Sequence, residues 1–207
     1  MKKKQHIFCF RCRFHSGQCI CEKLSKVPSK IRWTIIMHHR EFYLSSNTGR
    51  LGENTLENCK IILRGLPNTT IDWENIINEN ESTFLLFPAD NAIEISTKTS
   101  GLCKSKPIHI IVPDGSWRQA SKVYKREKAL KNIPCLKLPL KNYQSNYLLR
   151  KAPHENYLCT YEAMSKVVEE IESVEFAKKM KYNLKVLVSI SLKNRKHCLP
   201  NYLKGKL

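Results

Sequence analysis

The chain has 207 residues, enough for one domain, with or without a small appendage, and for a core that needs no disulfides to hold it. A hydrophobic share of 42% excludes an intrinsically disordered chain, and no apolar run approaches the roughly 20 residues of a membrane-spanning helix. Lys and Arg number 36 against 18 Asp and Glu, so a formal net charge of +18 favours polyanions, nucleic acid first among them, although the Lys-, Asn- and Ile-rich usage of an AT-rich genome gives the same excess on its own.

Residues 1–30 form a basic, Cys-rich head. Met1 to Lys4 is basic, but no apolar stretch of a secretory signal follows before Cys9. That points to the cytoplasm, where thiols stay reduced. Cys9 and Cys12 make one closely spaced pair, and Cys19 and Cys21 a second. Two such pairs supply four soft, anionic ligands for tetrahedral zinc. Gly17 eases the knuckle turn between them, and His15 is a possible substitute ligand. Four unrelated reduced cysteines are the blander alternative. A head so short and polar has no core of its own, so metal binding would provide its folding energy. Cys59, Cys103, Cys135 and Cys159 read as small buried residues.

Pro28 and Ser29 lead into Ile31 to Met37, a β-branched run that predicts a strand. Over 47–65, turn chemistry gives way to a helix-like apolar pattern through Leu51, Leu56 and Ile61. Thr83 to Phe87, closed by Pro88, and Ile108 to Val112, closed by Pro113, predict two further buried strands. A helix is expected at about residues 116–131, with Trp117, Ala120, Val123, Tyr124 and Leu130 on one face and Lys and Arg opposite. Cys135 to Pro139 predicts a fourth strand. Thr160 is a plausible N-cap for a helix whose stripe is Ala163, Val167, Val168, Ile171 and Val174. Leu184 to Ile190 suits either a strand or a short helix. Short apolar strands alternating with helices predict an α/β fold with a largely parallel sheet.

Charge is unevenly spread. Residues 41–94 are acidic overall, Arg118 to Lys151 is strongly basic, and Lys178 to Leu207 holds nine Lys or Arg and no acid. Basic blocks of this kind suit a face that follows phosphates, or a plainly solvated tail.

Val112 to Ala120 lies where a strand hands over to a helix, the place where open α/β sheets bind ligands. Pro113 and Gly115 shape a tight turn, from which Asp114 can point a carboxylate into a crevice beside free N–H groups of the helix N-terminus. On residue types alone a structural reading is equally good. Asp and Ser are ordinary N-caps, and Trp117 can be core.

Several segments together change that balance. Beside Cys9, Cys12, Cys19 and Cys21 stand His38 to Glu41, Asn47 to Leu51, Leu85 to Pro88, Asp114 to Ala120, Tyr147 to Pro153 and Thr160 to Ala163. In this order and spacing they resemble the DTW-domain family, named for an Asp-x-Thr-Trp motif. Ser116 stands for the named Thr and keeps its hydroxyl, His39 stands where the family pattern has Pro, and nothing after about residue 182 matches a motif.

The resemblance implies a SPOUT-like, knotted catalytic domain over 31–207 with a basic C-terminal tail, behind a zinc knuckle over 1–30. It implies a tRNA-uridine aminocarboxypropyltransferase. Such an enzyme takes the 3-amino-3-carboxypropyl group from S-adenosylmethionine to uridine N3 and releases methylthioadenosine. Asp114 is then the catalytic candidate, as general base or as electrostatic partner of the donor. Asn47, Thr48, Gly49, Arg50, Pro88, Ser116, Trp117, Arg118, Tyr147 and Arg150 become the donor- and substrate-binding candidates.

Within that set, Trp117 can stack on adenine or on the target base, or pack beneath the turn. Arg50, Arg118 and Arg150 suit a carboxylate or tRNA phosphates, and Lys122, Lys125, Arg126 and Lys128 can follow the RNA backbone. The target uridine must be a loop nucleotide or one turned out of its stack. Two alternatives keep part of the same features: a SPOUT-like RNA methyltransferase, and a non-catalytic zinc-knuckle RNA-binding module.

Overall fold

A computed structural model describes residues 8–96, 106–139, 143–150 and 157–194. Among these, six strands form one sheet: β1 (Arg32–His38), β2 (Cys59–Arg64), β3 (Ser82–Leu86), β4 (Ile93–Glu94), β5 (Ile108–Asp114) and β6 (Cys135–Lys137). Their order is β2-β1-β5-β3-β6-β4, and each neighbouring pair runs parallel. The helices are α1 (His39–Phe42), α2 (Gly49–Thr55), α3 (Trp117–Arg126), α4 (Thr160–Ile171) and α5 (Val174–Asn194). The expectation of an α/β fold with a parallel sheet is met.

Side chains alternate across a strand, so one sheet feeds two cores. Trp33, Ile35 and Met37 of β1 and Ile110 and Val112 of β5 join Leu51 of α2, Met164 and Val168 of α4, and Leu187 of α5. Ile36 and Ile111 point the other way, to Ala120 and Val123 of α3. With both faces covered, β1 and β5 are almost continuously apolar, as parallel strands require. The head shares the first of these cores: Cys12, Phe14 and Ile20 are buried in it. Asn183 fastens the next stretch, its amide donating to Ser25 O at 2.9 Å while its oxygen accepts from Ser25 N at 2.8 Å.

Four expectations need correction. The apolar pattern over 47–65 is not one helix. α2 ends at Thr55, and Ile61 lies on β2, an edge strand whose partly exposed residues blur the period-two signal. The helix expected to reach residue 131 stops at Arg126. Glu127 turns out to accept from Arg64 Nε at 2.6 Å and Trp73 Nε1 at 3.0 Å, and a short 3-10 turn, Lys128–Leu130, follows. Cys159, not Thr160, is the N-cap of α4, and Val174 belongs to α5 and is exposed. Of the two readings left open for Leu184 to Ile190, the helix holds, as the middle of the longer α5.

Cys59 and Cys135 are buried as expected, Cys159 is only partly so, and Cys103 lies outside the described residues. Among the described residues no helix is long and apolar enough to cross a membrane.

Candidate active site

Asp114 is the last residue of β5, in the interior of the sheet, and only 4% exposed. Its Oδ2 accepts from Asn47 Nδ2 at 2.7 Å, and its Oδ1 accepts from the Thr160 hydroxyl. Burial pushes its pKa up, the Thr160 and Asn47 hydrogen bonds and Arg150 oppose that rise, and Glu41 adds to it.

Two glycines make this placement possible. A Cβ on Gly49 would stand 3.1 Å from Asp114 Cγ, a contact that would push the carboxylate or α2 aside by a few tenths of an ångström, so glycine lets α2 sit this close. Gly115 has φ +143, and a Cβ there would meet Gln119 Oε1 at 2.6 Å. That oxygen is already committed. It accepts from Ser116 N at 2.7 Å, while Ser116 Oγ accepts from Gln119 N at 3.3 Å, a reciprocal cap that starts α3.

Around Asp114 opens a polar crevice of about 330 Å³. The loop before α2 forms one wall and the segment 145–150 the other. The two are laced together. Tyr147 donates its hydroxyl to Ser46 O, and Arg150 Nη2 donates to Ser46 Oγ at 3.2 Å. Arg150 Nη1 also pairs with Glu41 Oε2 at 2.8 Å. Glu162 of α4 holds the second wall in place, accepting from Ser145 Oγ and Asn146 N, both at 2.7 Å.

A second, mostly apolar cleft of about 500 Å³ adjoins the crevice over the ends of β3, β5 and β6, with Pro88, Leu136 and Leu138 in its wall. Trp117 and Tyr157 line both spaces, their rings 5.6 Å apart. Trp117 is not core: it is 47% exposed and lies nearly parallel to Phe87 at 5.4 Å. Phe87 in turn stacks on Tyr124 at 4.7 Å. The pair of spaces thus offers flat apolar surface next to one buried carboxylate and one ion pair.

In the head, the Sγ atoms of Cys9, Cys12, Cys19 and Cys21 all lie within 4.8 Å of one another, with Cys9 to Cys21 and Cys12 to Cys19 each 3.7 Å apart. A tetrahedron with zinc–sulfur bonds of about 2.3 Å has edges of about 3.8 Å, so the four thiols fit a zinc ion and are too far apart for disulfides. His15 is not needed as a ligand; its Nδ1 accepts from Gly17 N at 3.4 Å.

Of the residues singled out from sequence, Asn47, Thr48, Asp114, Ser116, Trp117, Tyr147 and Arg150 line the polar crevice. Gly49 lies against Asp114 and Pro88 in the apolar cleft. Arg50 and Arg118 line neither space. Arg118 is exposed on α3. Arg50 is buried and turned toward the head, donating to Phe42 O and to Arg11 O at 3.3 Å. Tyr157, Thr160 and Cys159 complete the crevice. Thr160 stood in a recognisable segment but was read as a cap; nothing in the sequence marks Tyr157.

An open parallel sheet with a carboxylate and two ligand-sized spaces at the carboxyl ends of its strands defines a ligand-binding α/β domain. The family model of the DTW domain matches residues 6–192, and the chain belongs to that family. It is also similar to tRNA-uridine aminocarboxypropyltransferase 2 of Drosophila melanogaster, 25% identical over 172 residues that make up 80% of this chain and 66% of that protein. The chain therefore spans about two thirds of the length of this relative.

Proposed function

We propose that this chain transfers the 3-amino-3-carboxypropyl group of S-adenosylmethionine to N3 of a uridine in tRNA. The observation that carries the reading is the buried carboxylate of Asp114, set where a polar crevice meets an apolar, aromatic-walled cleft. Family membership and the name of the relative support the reaction class.

When bound, the donor supplies an electrophilic methylene beside its sulfonium: the N3–C bond forms as the C–S bond breaks, and the electron pair stays on sulfur in methylthioadenosine. The residues present fit such a molecule. The apolar cleft beside Trp117 and Leu136 suits adenosine. The Glu41–Arg150 pair suits a zwitterionic amino-acid group, the guanidinium taking its carboxylate and Glu41 its ammonium. Asp114 takes the uridine N3 proton, since N3–H is a poor nucleophile until deprotonated. Its raised pKa makes it a better base than an exposed carboxylate, and Asn47 and Thr160 keep its oxygens aimed. The same carboxylate also stabilises positive charge on the donor.

The remaining assignments go with this reading. The head 1–30 is a structural zinc knuckle docked on a catalytic domain over 31–207. The protein works in the cytoplasm, and the domain has a SPOUT-like thread, supported by the all-parallel sheet and by the convergence of the segments after β5 and β6 on one crevice. Lys125, Arg126 and Lys128, exposed at the end of α3 and just after it, contact RNA phosphates.

The test is incubation with unmodified tRNA and carboxyl-labelled S-adenosylmethionine, followed by mass spectrometry of nucleosides. Label in aminocarboxypropyluridine that disappears with Asp114→Ala supports reaction and residue together. Methylated nucleoside, or no label on any tRNA despite donor binding, overturns the proposal.

A further inference from the structure

The zinc-binding head carries a surface that the proposed chemistry does not use. Phe10, at the tip of the turn between Cys9 and Cys12, is 76% exposed, and Tyr43 at the end of α1 is 67% exposed. Arg13 lies between the head and this aromatic turn, with its guanidinium 5.2 Å from the Phe42 ring and 5.3 Å from the Tyr43 ring. Arg11 is exposed beside Phe10. No acid occurs before Glu22, while Lys2, Lys3, Lys4, Arg11 and Arg13 do.

The backbone that carries these rings is tied down. The tip sits on a turn closed by Arg13 N to Cys9 O at 2.9 Å and Cys9 N to Phe14 O at 2.8 Å, between thiols placed for a metal. Arg50 latches the tip to α1. Its guanidinium reaches Arg11 O and Phe42 O and lies 4.2 Å over the Phe42 ring. Phe42 directly follows Glu41, which pairs with Arg150 in the crevice. The α1 turn that carries Tyr43 therefore starts from a residue that lines the candidate active site.

Large apolar rings kept in water and interleaved with arginines, with Glu41 of α1 already paired to Arg150, match one class of partner. We propose that the knuckle tip and the α1 turn form a stacking platform for unpaired RNA nucleotides adjacent to the modified base. Phe10 and Tyr43 take the faces of bases, and Arg11 and Arg13 take the intervening phosphates. Because rings stack on any base and phosphates are uniform, the platform selects single-stranded RNA over duplex without reading sequence. The inference rests on the RNA-modifying reading above but concerns a different surface.

The test compares binding of a short single-stranded RNA and of a duplex of equal length by fluorescence anisotropy, with thermal midpoint and zinc content recorded for each variant. Wild type should prefer the single strand. The double variant F10A/Y43A should lose roughly tenfold for the single strand, keep its duplex binding and keep its affinity for S-adenosylmethionine. F10W should bind at least as well as wild type, which separates stacking from damage to the knuckle. R11Q should reduce the slope of log affinity against log salt by about one. Equal binding by wild type and F10A/Y43A, or equal losses for single strand and duplex, overturns the platform. Wild type that binds single-stranded RNA through these rings yet labels no tRNA leaves the platform standing and overturns the proposed reaction.

Discussion

Thr160, the first residue of α4, donates its hydroxyl to Asp114 at the end of β5, 46 positions away in sequence. A hydrogen bond to the ionised form lowers a carboxylate's pKa, and here it opposes the rise caused by burial. If Asp114 is the base, activity is lost as pH falls through its pKa. Thr160→Val removes the donor and should move the acid limb of the kcat/KM profile to higher pH, whereas Thr160→Ser should restore it. A profile that does not move with Thr160→Val would remove Thr160 from the tuning of Asp114.

The ion pair between Glu41 and Arg150 gives a second expectation. Arg150 is committed to Glu41 and Ser46 in the crevice. A lysine keeps the charge but loses the planar fork that grips a carboxylate with two donors. Arg150→Lys should therefore weaken S-adenosylmethionine by roughly tenfold, about 1.4 kcal/mol, measured by calorimetry. It should leave the affinity for S-methyl-5′-thioadenosine, which lacks the amino-acid group, nearly unchanged. Equal losses for both ligands would show that Arg150 holds the crevice wall and not the donor's head group.

Much of this site was legible in the residues. The turn around Asp114 declares itself, because a β-branched run, a Pro, a Gly and a capping Ser with Gln three residues later specify strand, turn and helix start within the twelve positions from Ile108 to Gln119. The spacing of the four cysteines likewise marks a candidate metal set, and the fold brings their sulfurs within 4.8 Å of one another. What sequence could not provide was convergence in space. Thr160 scores as a cap by type, and only the fold shows that Cys159 takes that place and frees the threonine hydroxyl for Asp114. Arg50 carries the same guanidinium as Arg150, yet it turns toward Arg11 and Phe42, away from the crevice. Charge type does not say which way a side chain faces. β2 was obscured because an edge strand with only Cys59 buried lacks clean alternation.

The thiol cluster predicts one zinc per chain and a stability that depends on it. Phe14 and Ile20 are buried in the main core only while the head is folded over it. Burying each is worth about 2 kcal/mol, so stripping the metal with a strong chelator should lower the thermal midpoint by roughly 10 °C. Cys21→Ser should do the same without chelator. An unchanged midpoint in the metal-free protein would mean that packing alone holds the head in place.

His109 sets a different pH dependence, at the opposite end of the strands from Asp114. Its side chain is wholly buried on β5. Arg32 can only donate, so at 2.9 Å it makes Nδ1 an acceptor, which leaves the proton on Nε2 to be given to Thr34 Oγ1 at 2.8 Å. The ring is therefore neutral in the folded protein. Burial first, and Arg32 second, hold its pKa down at about 4. The unfolded chain, with an ordinary imidazole near 6.5, binds this proton where the folded chain does not. Stability from this group is full above about pH 6.5 and lost as pH falls toward 4, by at most about 3 kcal/mol. His109→Asn should cost stability at pH 7.5, yet the urea midpoint of the variant should fall less than that of wild type between pH 6.5 and 4. Parallel curves across that window would mean that the buried imidazole already carries its proton in the native state, against the donor pattern that Arg32 imposes.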